Sequence, residues 1–117
     1  MTSFDTLLAR AALVFGYSEE ELLGKRGRSA RLTMARQALM WAAREHSYGT
    51  VEIGRYMSGR DHTTIMYGSE RAAERAERDL AYARLLLQVA GLSEVEEAPP
   101  RRMPAVQVPG YPLALAA

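Results

Sequence analysis

The residues best able to do chemistry in this chain sit together in Gly59-Arg60-Asp61-His62-Thr63-Thr64-Ile65. A glycine turn carries an arginine into an aspartate suited to cap a helix, and that helix opens on a histidine and two threonines. Free N–H groups and the positive dipole end at such a helix start favour an anion such as a phosphate. The side chains of the first turn have the donors and acceptors to meet base edges in a major groove. Asp61 has two roles open to it, N-cap or acceptor from a cytosine amino group. Neutral His62 can donate or accept, and Thr63 and Thr64 offer hydroxyls together with methyls that suit a thymine methyl. Tyr67, one turn further on, can reach a phosphate.

Other chemistries find little footing. Gly24-Lys25 is not a P-loop, because Glu19 and Arg26 stand where that motif needs Gly and Ser or Thr. No Gly-x-Ser-x-Gly elbow is present, and Asp61 and His62, adjacent on a helix, point about 100° apart, a poor geometry for an orienting pair. Cysteine is absent and the two histidines, His46 and His62, lack zinc-type spacing, so no metal, no cofactor and no catalysis are expected. Met1 to Asp5 has no basic n-region before an apolar run, so no signal peptide is expected. No apolar run approaches the roughly 18 residues that span a bilayer, and no membrane partner is expected.

The net charge of +1 conceals a sorted distribution. Residues 25 to 60 hold eight basic side chains (Lys25, Arg26, Arg28, Arg31, Arg36, Arg44, Arg55, Arg60) against Glu45 and Glu52, leaving seven basic and twelve acidic residues elsewhere. One basic segment on an acidic body is what a nucleic-acid-binding face produces.

Helices must position these groups. Phe4, Leu7, Leu8, Ala11, Ala12, Val14 and Phe15 recur at helical spacing between a Ser3 cap and a Gly16 stop. Ser18-Glu19-Glu20-Glu21 reads as a capping box that opens a short helix closed by Gly24. Lys25 to Ser29 has no apolar residue and is expected as a mobile basic loop. Ala30 to His46 reads as a long amphipathic helix with Leu32, Ala35, Leu39, Ala42 and Ala43 on one face and Trp41 as a core anchor. Thr50 is expected to cap a brief helix through Met57 that buries Val51, Ile53 and Tyr56. Ser58-Gly59-Arg60 then turns into the helix begun by Asp61, and two helices joined this way make a helix-turn-helix whose second helix reads. Glu70 to Asp79 alternates in sign and predicts i,i+3 and i,i+4 ion pairs. Asp79 can cap a last helix in which Leu80, Ala83, Leu86 and Leu87 close the core.

These blocks, in this order, resemble the C-terminal DNA-binding domain of the bacterial replication initiator DnaA over roughly residues 4 to 90. The basic run Lys25-Arg26-Gly27-Arg28, Arg36-Gln37 on the long helix, Glu52-Ile53-Gly54 and the Gly-Arg-Asp-His-Thr-Thr hallmark carry the likeness. Ser58 stands where a second glycine is common in the family, and Val51 where proline is frequent. The resemblance implies an all-α, compact fold of about six helices, Trp-repressor-like in its helix-turn-helix, at residues 1–92. An acidic, Pro-rich, disordered tail is expected at 93–117. It further implies Arg28 in the minor groove, Asp61, His62, Thr63 and Thr64 on bases, and Lys25, Arg26, Arg36, Gln37, Arg44, Arg60 and Tyr67 on phosphates. The implied partner is double-stranded DNA bearing a DnaA box, met by a monomer in the cytoplasm at the nucleoid, with no nucleotide bound. The alternative is a regulator that contacts the replication initiator or its partners through protein surfaces. The final Ala114-Leu115-Ala116-Ala117 resembles the end of a bacterial proteolysis tag.

Overall fold

The computed structural model describes residues 2–99, and these build six helices with no strand among them. Helix α1, Phe4–Phe15, starts where Ser3 Oγ accepts the Thr6 N–H at 3.2 Å. It ends at Gly16, whose φ of 76° is the left-handed conformation glycine adopts without penalty. Helix α2, Glu19–Leu23, has a complete capping box: Ser18 Oγ accepts the Glu21 N–H at 3.0 Å and Glu21 Oε1 accepts the Ser18 N–H at 2.9 Å. Ser29 caps α3, Ala30–Glu45, by accepting the Leu32 N–H at 3.1 Å. Helices α4, Thr50–Tyr56, α5, His62–Arg78, and α6, Leu80–Ala90, complete the chain.

Helix α3 is the hub: it packs against all five other helices. Leu32, Ala35, Leu39, Ala42 and Ala43 are buried on the expected face, and Trp41 is half-buried against the same core. The small residues let neighbours come close. A Cβ at Gly68 of α5 would overlap Met40 Sδ of α3, so α5 is seated on α3 by a glycine contact.

Four expectations need correction. Gly49, not Thr50, is the N-cap of α4; Glu52 Oε1 accepts the Gly49 N–H at 3.3 Å, and Gly49 has no side chain to complete the box. Val51 and Tyr56 are 52% and 47% exposed, because only the Ile53 and Met57 stripe of this short helix faces the core. Tyr56 instead stacks on Phe4 with ring centroids 4.8 Å apart. In α6 the buried stripe is Tyr82, Leu86 and Val89 while Leu80 and Leu87 stay exposed. The tyrosine displaced the leucines because its hydroxyl finds a buried acceptor, the Met34 carbonyl at 2.8 Å, and burial pushes its phenol well above the ordinary range. Lastly, no ion pair forms along Glu70 to Asp79 among the described residues; Arg75 lies over the Tyr82 ring instead, 5.7 Å from its centroid. Asp79 does cap α6, accepting the Tyr82 N–H at 3.1 Å.

The chain past α6 does not leave the body at residue 92. Val95 packs on the core, Gln88 Oε1 accepts the Glu96 N–H at 3.0 Å, and the Ala98 N–H donates to the Leu13 carbonyl at 2.9 Å. The rest of the expected disordered tail, and the tag-like Ala114 to Ala117, lie outside the described residues.

Candidate nucleic-acid interface

The turn between α4 and α5 is made by two consecutive left-handed residues, Ser58 at φ 63° and Gly59 at φ 74°. The Arg60 N–H donates back to the Gly54 carbonyl at 2.9 Å, and a Cβ at Gly54 would overlap the Arg60 carbonyl oxygen. The helix-turn-helix closes because residue 54 has no side chain. Serine at 58 carries a conformational penalty that glycine would not, offset by its hydroxyl donating to the Leu23 carbonyl at 2.6 Å.

Asp61 is the N-cap of α5, accepting the Thr63 N–H at 3.0 Å and, at short range, the Thr63 hydroxyl. The Thr63 hydroxyl bond, followed by the Thr63 N–H, holds the Asp61 carboxyl below its ordinary range. His62 Nδ1 stands 3.8 Å from the other carboxylate oxygen. His62 and Thr64 are exposed, Thr63 is half-buried, and Tyr67 is 56% exposed. The first turn of α5 is thus a polar, outward-facing surface whose shape Asp61 holds. The Asp61 carboxylate serves as the N-cap of α5.

The basic side chains divide into two groups. Lys25, Arg26 and Arg28 are exposed. Arg36 and Arg60, two of the residues expected on phosphates, have their guanidinium groups turned onto backbone carbonyls. Arg36 is only 8% exposed; its Nη2 donates to the carbonyls of Glu21 at 2.7 Å and Arg26 at 2.6 Å, and its Nη1 to Gly27 at 3.0 Å. Arg60 Nη1 donates to the Leu23 carbonyl at 2.9 Å and the Met57 carbonyl at 2.7 Å, and Nη2 to Gly24 at 2.5 Å. The carbonyls at the end of α2 have no helical donors left, and guanidinium groups satisfy them. Desolvation lowers the pKa of both arginines, Arg36 and Arg60, with the Arg36 charge adding to the effect at Arg60. The loop expected to be mobile has two of its carbonyls, Arg26 and Gly27, held by Arg36, and the end of α2 just before it is held by Arg36 at Glu21 and by Arg60 at Leu23 and Gly24.

Arg44 is exposed and donates through Nη1 to Ser69 Oγ of α5 at 3.0 Å. Gln37 is half-buried and lines a groove of about 340 Å³ between α3 and α5, shared with Thr33, Met34, Arg71, Arg75 and Arg78. Val51, expected in the core, is exposed; the available signal was its position off the Ile53 and Met57 stripe. Among the described residues no cluster of potential metal ligands forms, and no helix is long and apolar enough to cross a membrane.

Comparison with known proteins bears on this geometry. The family described as bacterial dnaA protein helix-turn-helix matches residues 5–71. The chain is 36% identical over 91 residues to the chromosomal replication initiator protein DnaA of Roseiflexus castenholzii, covering 77% of this chain and 18% of that protein. It is 40% identical over 77 residues to DnaA of Chloroflexus aurantiacus, covering 65% of this chain and 15% of the relative. For DnaA of Thermus thermophilus the identity is 38% over 74 residues, 62% of this chain and 17% of the relative. The chain thus spans less than a fifth of the length of these relatives. With the matched residues covering α1 to α4 and the first half of α5, the chain belongs to the bacterial DnaA helix-turn-helix family, a DNA-binding helix-turn-helix.

Proposed function

We propose that this chain binds double-stranded DNA sequence-specifically at a DnaA-box-like site and so controls replication initiation or transcription. The observation that carries the reading is the pairing of a polar helix start, Asp61 to Thr64, with an exposed basic loop, Lys25 to Arg28, while Arg60 bonds the Leu23 and Gly24 carbonyls that immediately precede that loop. His62, Thr63 and Thr64 meet base edges in the major groove, with Asp61 shaping the turn and open to a cytosine amino group. Arg28 enters the adjacent minor groove, where narrow A·T tracts concentrate negative potential. Lys25, Arg26, Gln37, Arg44 and Tyr67 contact phosphates, which position the protein without reading sequence. A DnaA box is asymmetric, so one monomer suffices, and the place of action is the cytoplasmic nucleoid.

Fluorescence anisotropy of the full chain with a DnaA-box duplex and a scrambled duplex of equal composition, at two salt concentrations, tests this. Tighter binding to the box is expected, with a log–log salt slope near about −0.9 per phosphate neutralised. Equal affinity for both duplexes would overturn the reading.

A further inference from the structure

We propose that Arg60 is a positioning residue for the minor-groove loop: it fastens the turn that begins α5 to the backbone of residues 23 and 24, so that Arg28 and the α5 turn read DNA as one rigid unit. The inference rests on the DNA-reading function proposed above and assigns within it a role that differs from phosphate contact.

Three observations carry it. Both terminal nitrogens of Arg60 are engaged by carbonyls of Leu23, Gly24 and Met57, at 2.5 to 2.9 Å, so the group that would meet a phosphate faces into the protein. The Ser58 hydroxyl donates to the same Leu23 carbonyl, giving the turn a second fastening at the same point. Arg36 of α3 continues the pattern onto Glu21, Arg26 and Gly27, one residue short of Arg28. A planar guanidinium bridges two carbonyls in fixed geometry, which an ammonium cannot do. Holding the loop in its bound shape before DNA arrives removes ordering entropy from the binding step.

The consequence is coupling. An independent phosphate contact at Arg60 would add to the contribution of Arg28, whereas a positioning role makes the two non-additive. The probe is a box duplex in which the minor-groove A·T pairs carry 2,6-diaminopurine in place of adenine. That change adds an amino group in the minor groove and leaves the major-groove edges untouched.

In the wild type, Arg28→Ala is expected to weaken box binding about tenfold and to abolish discrimination against the diaminopurine duplex. In the Arg60→Gln background the same Arg28→Ala change is expected to weaken binding less than about twofold, because the loop no longer presents Arg28. Backbone order parameters of Arg26 and Gly27 without DNA are expected to fall from rigid values near about 0.85 toward about 0.6 in Arg60→Gln, with those of α5 unchanged. Should Arg60→Gln fail to fold, Arg60→Lys replaces it: it keeps the charge that a phosphate contact needs and loses the fork. Retained diaminopurine discrimination in Arg60→Lys, or additive losses with unchanged loop order, would overturn the positioning role. A wild type that binds box and scrambled duplexes alike, while Arg60→Gln still loosens the loop, would overturn the DNA-reading function and leave the fastening itself standing.

Discussion

Two turns in this protein share one local grammar and end differently. Gly27-Arg28-Ser29 and Gly59-Arg60-Asp61 each place a left-handed glycine, at φ 88° and 74°, before an arginine and an N-cap that opens a long helix. Yet Arg28 is exposed and Arg60 is folded onto backbone carbonyls. The glycine and the cap are local devices and work alike in both places. The fate of the arginine depends on what lies beside it: Arg60 meets the acceptor-rich end of α2, and no hydrogen bond holds Arg28 to the protein among the described residues. Closely similar short motifs can therefore leave the arginine exposed in one turn and fold it onto backbone carbonyls in the other.

The strongest way to break the contrast is Gly54→Ala. Its Cβ would collide with the Arg60 carbonyl, a backbone atom that cannot swing aside, so the turn must open. A stability loss of about 3 kcal/mol is expected in urea unfolding, and a loss below 1 kcal/mol would show that the turn is less closely packed than described. Next comes the pair of arginines. Arg60→Ala is expected to lose about 1 to 3 kcal/mol of folding stability, because it strands part-buried carbonyls. Arg28→Ala should change stability by less than about 0.5 kcal/mol and lower box affinity by about 1 to 3 kcal/mol. His62→Ala should follow Arg28→Ala in relaxing sequence preference, while Arg44→Ala weakens all duplexes alike. Matching stability losses at positions 28 and 60 would erase the distinction drawn between them.

The glycines sharpen the comparison on a smaller scale. Gly59→Ala meets nothing within 4 Å and is expected to lose about 1 to 2 kcal/mol from its positive φ alone. Gly27→Ala has the same backbone penalty and also brings its Cβ to 2.7 Å from Leu32 Cδ2, so its melting temperature should fall further. The smallest effect is pH-dependent. The Asp61 carboxyl, held below its ordinary 3.8 by Thr63, contributes its cap fully above the unfolded-state pKa. That contribution is lost as pH falls through the depressed folded value. The gap in melting temperature between wild type and Asp61→Ala should therefore close in strong acid; a gap that persists there would assign the stabilisation to something other than the ionised cap.

Much of the architecture was legible because it is local. Ser3, Ser18, Ser29, Asp61 and Asp79 each bond a backbone N–H two or three residues ahead, a contact that needs only the next turn of helix. Gly16 and Gly91 stop their helices in the left-handed region for an equally local reason. The readable part of the site, Asp61 to Thr64 on a first helical turn, belongs to the same class. Misreadings fall where two solutions look alike along the chain. Leu80 and Leu87 compete with Tyr82 and Val89 for one face of α6, and only the acceptor offered by Met34 of another helix decides it.

The sequence by itself determined the helices, most of their caps though not that of α4, the polar start of α5 and the basic segment that precedes it, because periodicity and capping act within a few residues. The tertiary structure alone decided which cations face outward. Arg26, Arg28, Arg36 and Arg60 are equivalent as letters; the separation into exposed and inward-facing groups required α2, α3 and the turn at residue 60 to meet. The physical reason is that a guanidinium goes wherever unpaired carbonyl oxygens are brought within its reach, and those carbonyls are 10 to 37 residues from Arg36 or Arg60 along the chain, apart from Met57 and Gly27, which are 3 and 9 away.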